Sequence, residues 1–105
     1  MTEAQIAGCI MGGAIGDACG IPYEGRQGPL QAELIPSEIS DDTQLTLATC
    51  EAIIEKGGVD PEAIAMRMAQ WFKDGRITGI GASTYKSLSE LALMTKWLRS
   101  RISVR

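Results

Sequence analysis

Histidine is absent from this 105-residue sequence. Its absence removes serine–histidine and cysteine–histidine catalysis, together with histidine-ligated zinc. Cysteine is scarce. Cys9, Cys19 and Cys50 form no CxxC pair, and their odd number and small, apolar neighbours predict buried free thiols in a reducing compartment. Long apolar runs are missing too. The longest uncharged stretch near the N-terminus, AQIAGCIMGGAIG over residues 4–16, is shorter than the roughly 20 residues a membrane span needs. Glu3 precedes it, where a signal peptide would carry lysine or arginine. Excess positive charge is also lacking. A net charge of −3 gives no reason to expect nucleic acid or an anionic membrane as partner. The expectation is a soluble, cytoplasmic chain. Strand signals are weak throughout, which leaves an all-α pattern.

A chain of this length is one domain or part of one. The feature out of the ordinary is its 12 glycines, which cluster. Thr2 and Gln5 fit a T-x-x-Q capping box, and Ile6, Cys9, Ile10, Gly13 and Ala14 follow at helical spacing, so the first helix runs from the N-terminus to about residue 19. Gly8, Gly12, Gly16 and Gly20 stand four apart. Each costs about 1 kcal/mol in a helix interior, which predicts the close approach of another helix or of a ligand. Residues 21–39, punctuated by Pro22, Gly25, Gly28, Pro29 and Pro36, read as a long loop.

A second helix is predicted from Ser40 to the Lys56-Gly57-Gly58 stop. Leu45, Ala48, Ala52 and Ile53 form one apolar face and Leu47, Cys50 and Ile54 another, the pattern of a central, buried helix. Asp60-Pro61-Glu62 starts a third, running through Ile64, Met68, Trp71 and Phe72 to Gly75. GRITGIGAST, residues 75–84, is a second glycine-rich loop. Beyond it Ser87 and Glu90 make another capping box, ahead of Leu91, Met94, Trp97 and Leu98.

Chemistry could reside in the stretch ISDDT. Serine at a cap and aspartates in a first turn stabilise any helix, by satisfying orphan N–H groups and the helix dipole. One aspartate would suffice for that. Two adjacent carboxylates at the start of an interior helix call for a cation, and hydroxyl and carboxylate oxygens suit a hard ion such as Mg²⁺. Glu24, a lone acid in a loop, reads first as solvated. Asp17, in an otherwise uncharged helix, reads as a terminal polar residue. The GIGAST loop could offer N–H groups to a phosphate, with Ser83 or Thr84 as cap. It has no P-loop lysine.

Taken in order, GCIMGGAIGDACGIPYE, ISDDTQLTLATCEAI and DPEAIAMRMAQWFKDGRITGIGAST resemble the N-terminal part of the ADP-ribosylglycohydrolase family. The likeness covers about residues 6–88, and its most specific elements are GDxxGxxxE and the following [ST]-DDT. It implies an all-helical fold and hydrolysis of the glycosidic bond between ADP-ribose and a protein side chain or another acceptor. It also implies a binuclear Mg²⁺ centre at the base of a cleft. By resemblance Ser40, Asp41 and Asp42 are metal ligands. Glu24 and Asp42 take the catalytic roles beside them, and Gly79, Gly81, Ser83 and Thr84 line the ADP-ribose cleft.

One element of the pattern is missing. The family completes its metals with a second cluster, Asp-x-Asp-[ST], but the one acid after residue 74 is Glu90. Mg²⁺ wants about six oxygens, so ISDDT is a helix start and half of a metal site. The expectation is a single partial domain over 1–105, its segment 89–105 divergent and basic, with Lys96, Arg99, Arg101 and Arg105. Two functions follow. One is a truncated hydrolase completed by an oligomer or a complementing chain. The other is a non-catalytic helical module that packs on itself or on a partner.

Overall fold

The computed structural model describes the backbone of residues 1–25 and 38–103, with side chains up to residue 96. Most of the loop expected over 21–39, including Gly28, Pro29 and Pro36, lies outside the described residues. So do the side chains of Trp97, Leu98, Arg99 and Arg101, and the whole of Arg105. Among the described residues the fold is all-α: α1 (Glu3–Gly20), a 3-10 turn (Ile21–Tyr23), α2 (Asp41–Lys56), α3 (Pro61–Lys73) and α4 (Ala82–Ser103).

Local chemistry sets most of these ends. The Thr2–Gln5 capping box forms in full, with Thr2 N–H donating to Gln5 Oε1 at 2.9 Å and Gln5 N–H to Thr2 Oγ1 at 3.2 Å. Asp60 caps α3 by accepting from the Glu62 and Ala63 N–H groups, and Pro61 follows as the first helical residue. Helix α2 stops at Gly57, whose φ of 74° is open to glycine at little cost; the Gly57 and Gly58 N–H groups both donate to the Ile53 carbonyl.

Helix α4 departs from expectation. It begins at Ala82, ahead of the Ser87–Glu90 box, and the Tyr85 N–H donates to the Gly81 carbonyl at 3.0 Å. Packing overrides the local signal. Tyr85 meets Phe72 edge to face at 5.5 Å and Leu88 is buried, so the turn from 82 to 88 is already fixed against α3.

The core consists of Ala48, Trp71, Ile77 and Leu88, flanked by Leu45, Leu47, Met68, Phe72, Ile80 and Leu91. Helix α3 packs on both α2 and α4, while among the described residues α1 reaches only α2 and the 3-10 turn. Among the same residues α2 is covered mainly by α3, with a smaller contact from α1. Ala48 and Ala52 are buried, but Ile54 of the second apolar face is 79% exposed.

Helix α1 differs most from its sequence reading. None of its residues is buried, and nothing described lies within 4 Å of a Cβ placed on Gly8, Gly12, Gly16 or Gly20. Cys9 and Cys19, expected inside, are exposed, and Cys50 is half-buried. Small neighbours in sequence did not mean an interior. Together with the 3-10 turn the helix spans Glu3–Tyr23, long and apolar enough by length and composition alone to cross a membrane. The whole measures 61 × 37 × 17 Å. The third dimension is less than half the second, which leaves little depth for a core.

Candidate functional site

The N-terminal turn of α2 is held from two sides. On the first, Ser40 caps the helix by accepting the Asp42 N–H at 3.2 Å. Its own hydroxyl donates to Asp17 Oδ1 at 2.6 Å and its N–H to Asp17 Oδ2 at 2.8 Å. Thr43 Oγ1–H also donates to Asp17 Oδ2, at 2.6 Å. The hydroxyls of Ser40 and Thr43 hold the Asp17 carboxyl below its ordinary value of 3.8, and partial desolvation opposes them. Asp17 is thus a bridge from α1 to α2 rather than a terminal polar residue. Sequence reasoning missed this role, because its partners lie 23 and 26 positions away.

On the second side the buried Gln44 reaches the glycine-rich loop. Its Nε2–H donates to Thr78 Oγ1 at 2.8 Å, and its Oε1 accepts the Thr78 N–H at 2.8 Å. Successive residues on a helix point about 100° apart. Thr43 and Gln44 therefore address α1 and the loop from one turn.

Between these anchors, Asp41 is half-buried and Asp42 exposed. The carboxylates do not sit in an interior, as the apolar helix behind them suggested. Thr43 and Gln44 of the same turn are buried, whereas the two carboxylates stay nearer the surface. A groove of about 370 Å³ runs beside Asp42, lined by Cys9, Gly13, Asp17, Thr43 and Thr46. Glu24 ends the 3-10 turn, exposed, with its N–H donating to the Ile21 carbonyl. Among the described residues no three acidic or cysteine side chains come close enough to hold a metal ion. The donors fit a hard cation in kind but fall short in number.

Of the loop residues, Gly79 takes a φ of 66°, open to glycine at little cost, and Gly81 precedes the first residue of α4. Ser83 and Thr84 lie inside the first turn of α4 rather than capping it, Ser83 exposed and Thr84 half-buried. Gly81 takes the capping position.

A family model described as ADP-ribosylglycohydrolase matches residues 1–102. An uncharacterized protein of Archaeoglobus fulgidus is 34% identical over 116 aligned positions, which cover 95% of this chain and 38% of the relative. The chain therefore spans less than two-fifths of that relative's length. No solved structure matches the chain significantly.

Proposed function

This chain belongs to the ADP-ribosylglycohydrolase family, and from that premise we propose that it contributes half of a Mg²⁺-dependent site for cleaving ADP-ribose linkages. The observation that carries the reading is the three-bond hold of Asp17 on Ser40 and Thr43. It fixes the SDD turn at the point where the resemblance puts metal ligands. A cap alone needs only Ser40; a second helix committing the Asp17 carboxylate to this turn supports a need to keep it in place.

Ser40, Asp41 and Asp42 would hold the metal, with donors from outside residues 1–105 completing its shell. Bound there, the ion would supply charge stabilisation as the anomeric carbon becomes oxocarbenium-like. The chain's own residues have separate tasks. Asp17 accepts the hydrogen bond of the Ser40 hydroxyl, which leaves the Ser40 oxygen one lone pair beyond the one that accepts the Asp42 N–H. Asp42, exposed, can accept a proton from water or from a ribose hydroxyl. Glu24 is proposed as a second acid facing the substrate. The loop of Gly79 and Gly81 and the first turn of α4, with Ser83 and Thr84, offer N–H and hydroxyl groups to the diphosphate.

Calorimetric titration of Mg²⁺, with and without ADP-ribose, tests the reading. Coupled binding of the two is expected, and Asp41→Ala and Asp42→Ala should abolish it while leaving helical content intact. An Asp42→Ala chain that unfolds would return these residues to a capping role.

The second reading, a helical module that packs on itself or on a partner, draws on α1. Ile6, Met11 and Ile15 there are 46%, 62% and 56% exposed. A stable dimer indifferent to Mg²⁺ and to Asp41→Ala would favour it.

A further inference from the structure

The bond between Gln44 and Thr78 is the least expected feature near the site. Gln44 is 8% exposed, and a buried side-chain amide without partners would be costly. Both ends of this amide are satisfied by a single residue across 34 positions of sequence, the side-chain amide acting toward Thr78 as a second strand would. Thr78 lies in the middle of the loop, next to Gly79 with its positive φ. The preceding residue, Ile77, is buried in the core, and Arg76 lies over the Trp71 ring at 3.5 Å. The loop is therefore pinned on its N-terminal side by packing and at Thr78 by Gln44, while Gly79 and Gly81 remain exposed.

We propose that Gln44 is a positioning residue. It holds the 75–81 loop in one register against the first turn of α2, so that the loop's N–H groups and the Asp41–Asp42 carboxylates meet ADP-ribose as one preformed surface. The proposal rests on the ADP-ribose reading above, and it adds a residue that touches neither metal nor ligand. A bidentate amide suits this task. A single hydrogen bond would leave Thr78 free to swing, whereas two parallel bonds to one residue fix both its backbone and its side chain.

Two measurements on the full chain separate this proposal from the reading it rests on. Amide exchange of residues 76–81 is followed without ligand in the wild type, Gln44→Leu and Gln44→Glu. Leu keeps the apolar volume and loses both bonds. Glu keeps an acceptor for the Thr78 N–H and a second oxygen for its hydroxyl. Exchange at Thr78 is expected to quicken about fivefold in Gln44→Leu and to stay near wild type in Gln44→Glu, in line with one modest hydrogen bond. ADP-ribose titration with Mg²⁺ should then show roughly tenfold weaker binding for Gln44→Leu, rescued in Gln44→Glu.

If Gln44→Leu does not fold, Thr78→Val, a change at an exposed loop position, removes the hydroxyl partner and should weaken binding in the same direction. Exchange unchanged in Gln44→Leu would overturn the clamp, whatever the ligand does. Loosened exchange with ADP-ribose bound as tightly as by wild type would overturn the positioning role. A wild-type chain that binds no ADP-ribose would sink the functional reading and, with it, any role for Gln44 toward that ligand.

Discussion

Three donors converge on the two oxygens of Asp17, and the ionised carboxylate accepts from them more strongly than the protonated acid does. Its folded pKa lies below the ordinary 3.8, so its contribution to stability is fully present above that value. It is lost as pH falls through the lowered one. Asp17→Asn should therefore be less stable than wild type at neutral pH, and the gap should close in acid. Urea midpoints of the two chains across that range check it, and a gap constant down to the acid limit would exclude the carboxylate as its cause. At this scale the sequence was half legible. The caps at Thr2, Ser40 and Asp60 could be read because each partner lies two or three positions away. Asp17 and Gln44 could not, since their partners are brought to them only by the fold.

Among the described elements, α3 joins α2 to α4, and Trp71 anchors it in the core. Its ring is 5% exposed, its Nε1–H donates to Glu51 Oε2 at 2.8 Å, and Arg76 covers one face. Arg67 then links Glu51, at 3.5 Å, to Glu55. Trp71→Ala should cost roughly 3–5 kcal/mol through lost burial and an unfilled space. Glu51→Gln, which keeps an acceptor for the indole, should cost under about 1.5 kcal/mol. Equilibrium denaturation of both variants decides this; equal costs would mean that the acid rather than the ring holds α2 to α3. The helix pattern itself was legible, apart from the start of α4. There, a capping box at Ser87 yielded to tertiary contacts of Tyr85 and Leu88 that no local rule contains.

As a whole, the molecule exposes 7822 Å², against about 5,700 Å² for a compact chain of this mass. Ile6, Met11 and Ile15 contribute to that excess, together with Leu93 and Met94 of α4. Apolar area of this kind drives association, so sedimentation should show concentration-dependent self-association. Replacing Ile6, Met11 and Ile15 together by Gln should weaken it at least about tenfold without loss of helix. A wild type that stays monomeric at high concentration would rule this out. The glycine spacing of α1 foretold a close neighbour that the described residues do not supply, because periodicity reports a face suited to contact and not what occupies it.

The 17 Å thickness has a calorimetric consequence. A molecule this thin, whose buried apolar residues among those described number little beyond three alanines, Trp71, Ile77 and Leu88, has little dry surface left to wet when it melts. The heat-capacity step on unfolding should fall clearly below the roughly 12–15 cal/mol/K per residue of ordinary globular chains. The stability curve would then be flat across temperature, and the endotherm low and wide. Such a chain would resist cold better than heat-capacity averages suggest, yet release its structure gradually as it warms.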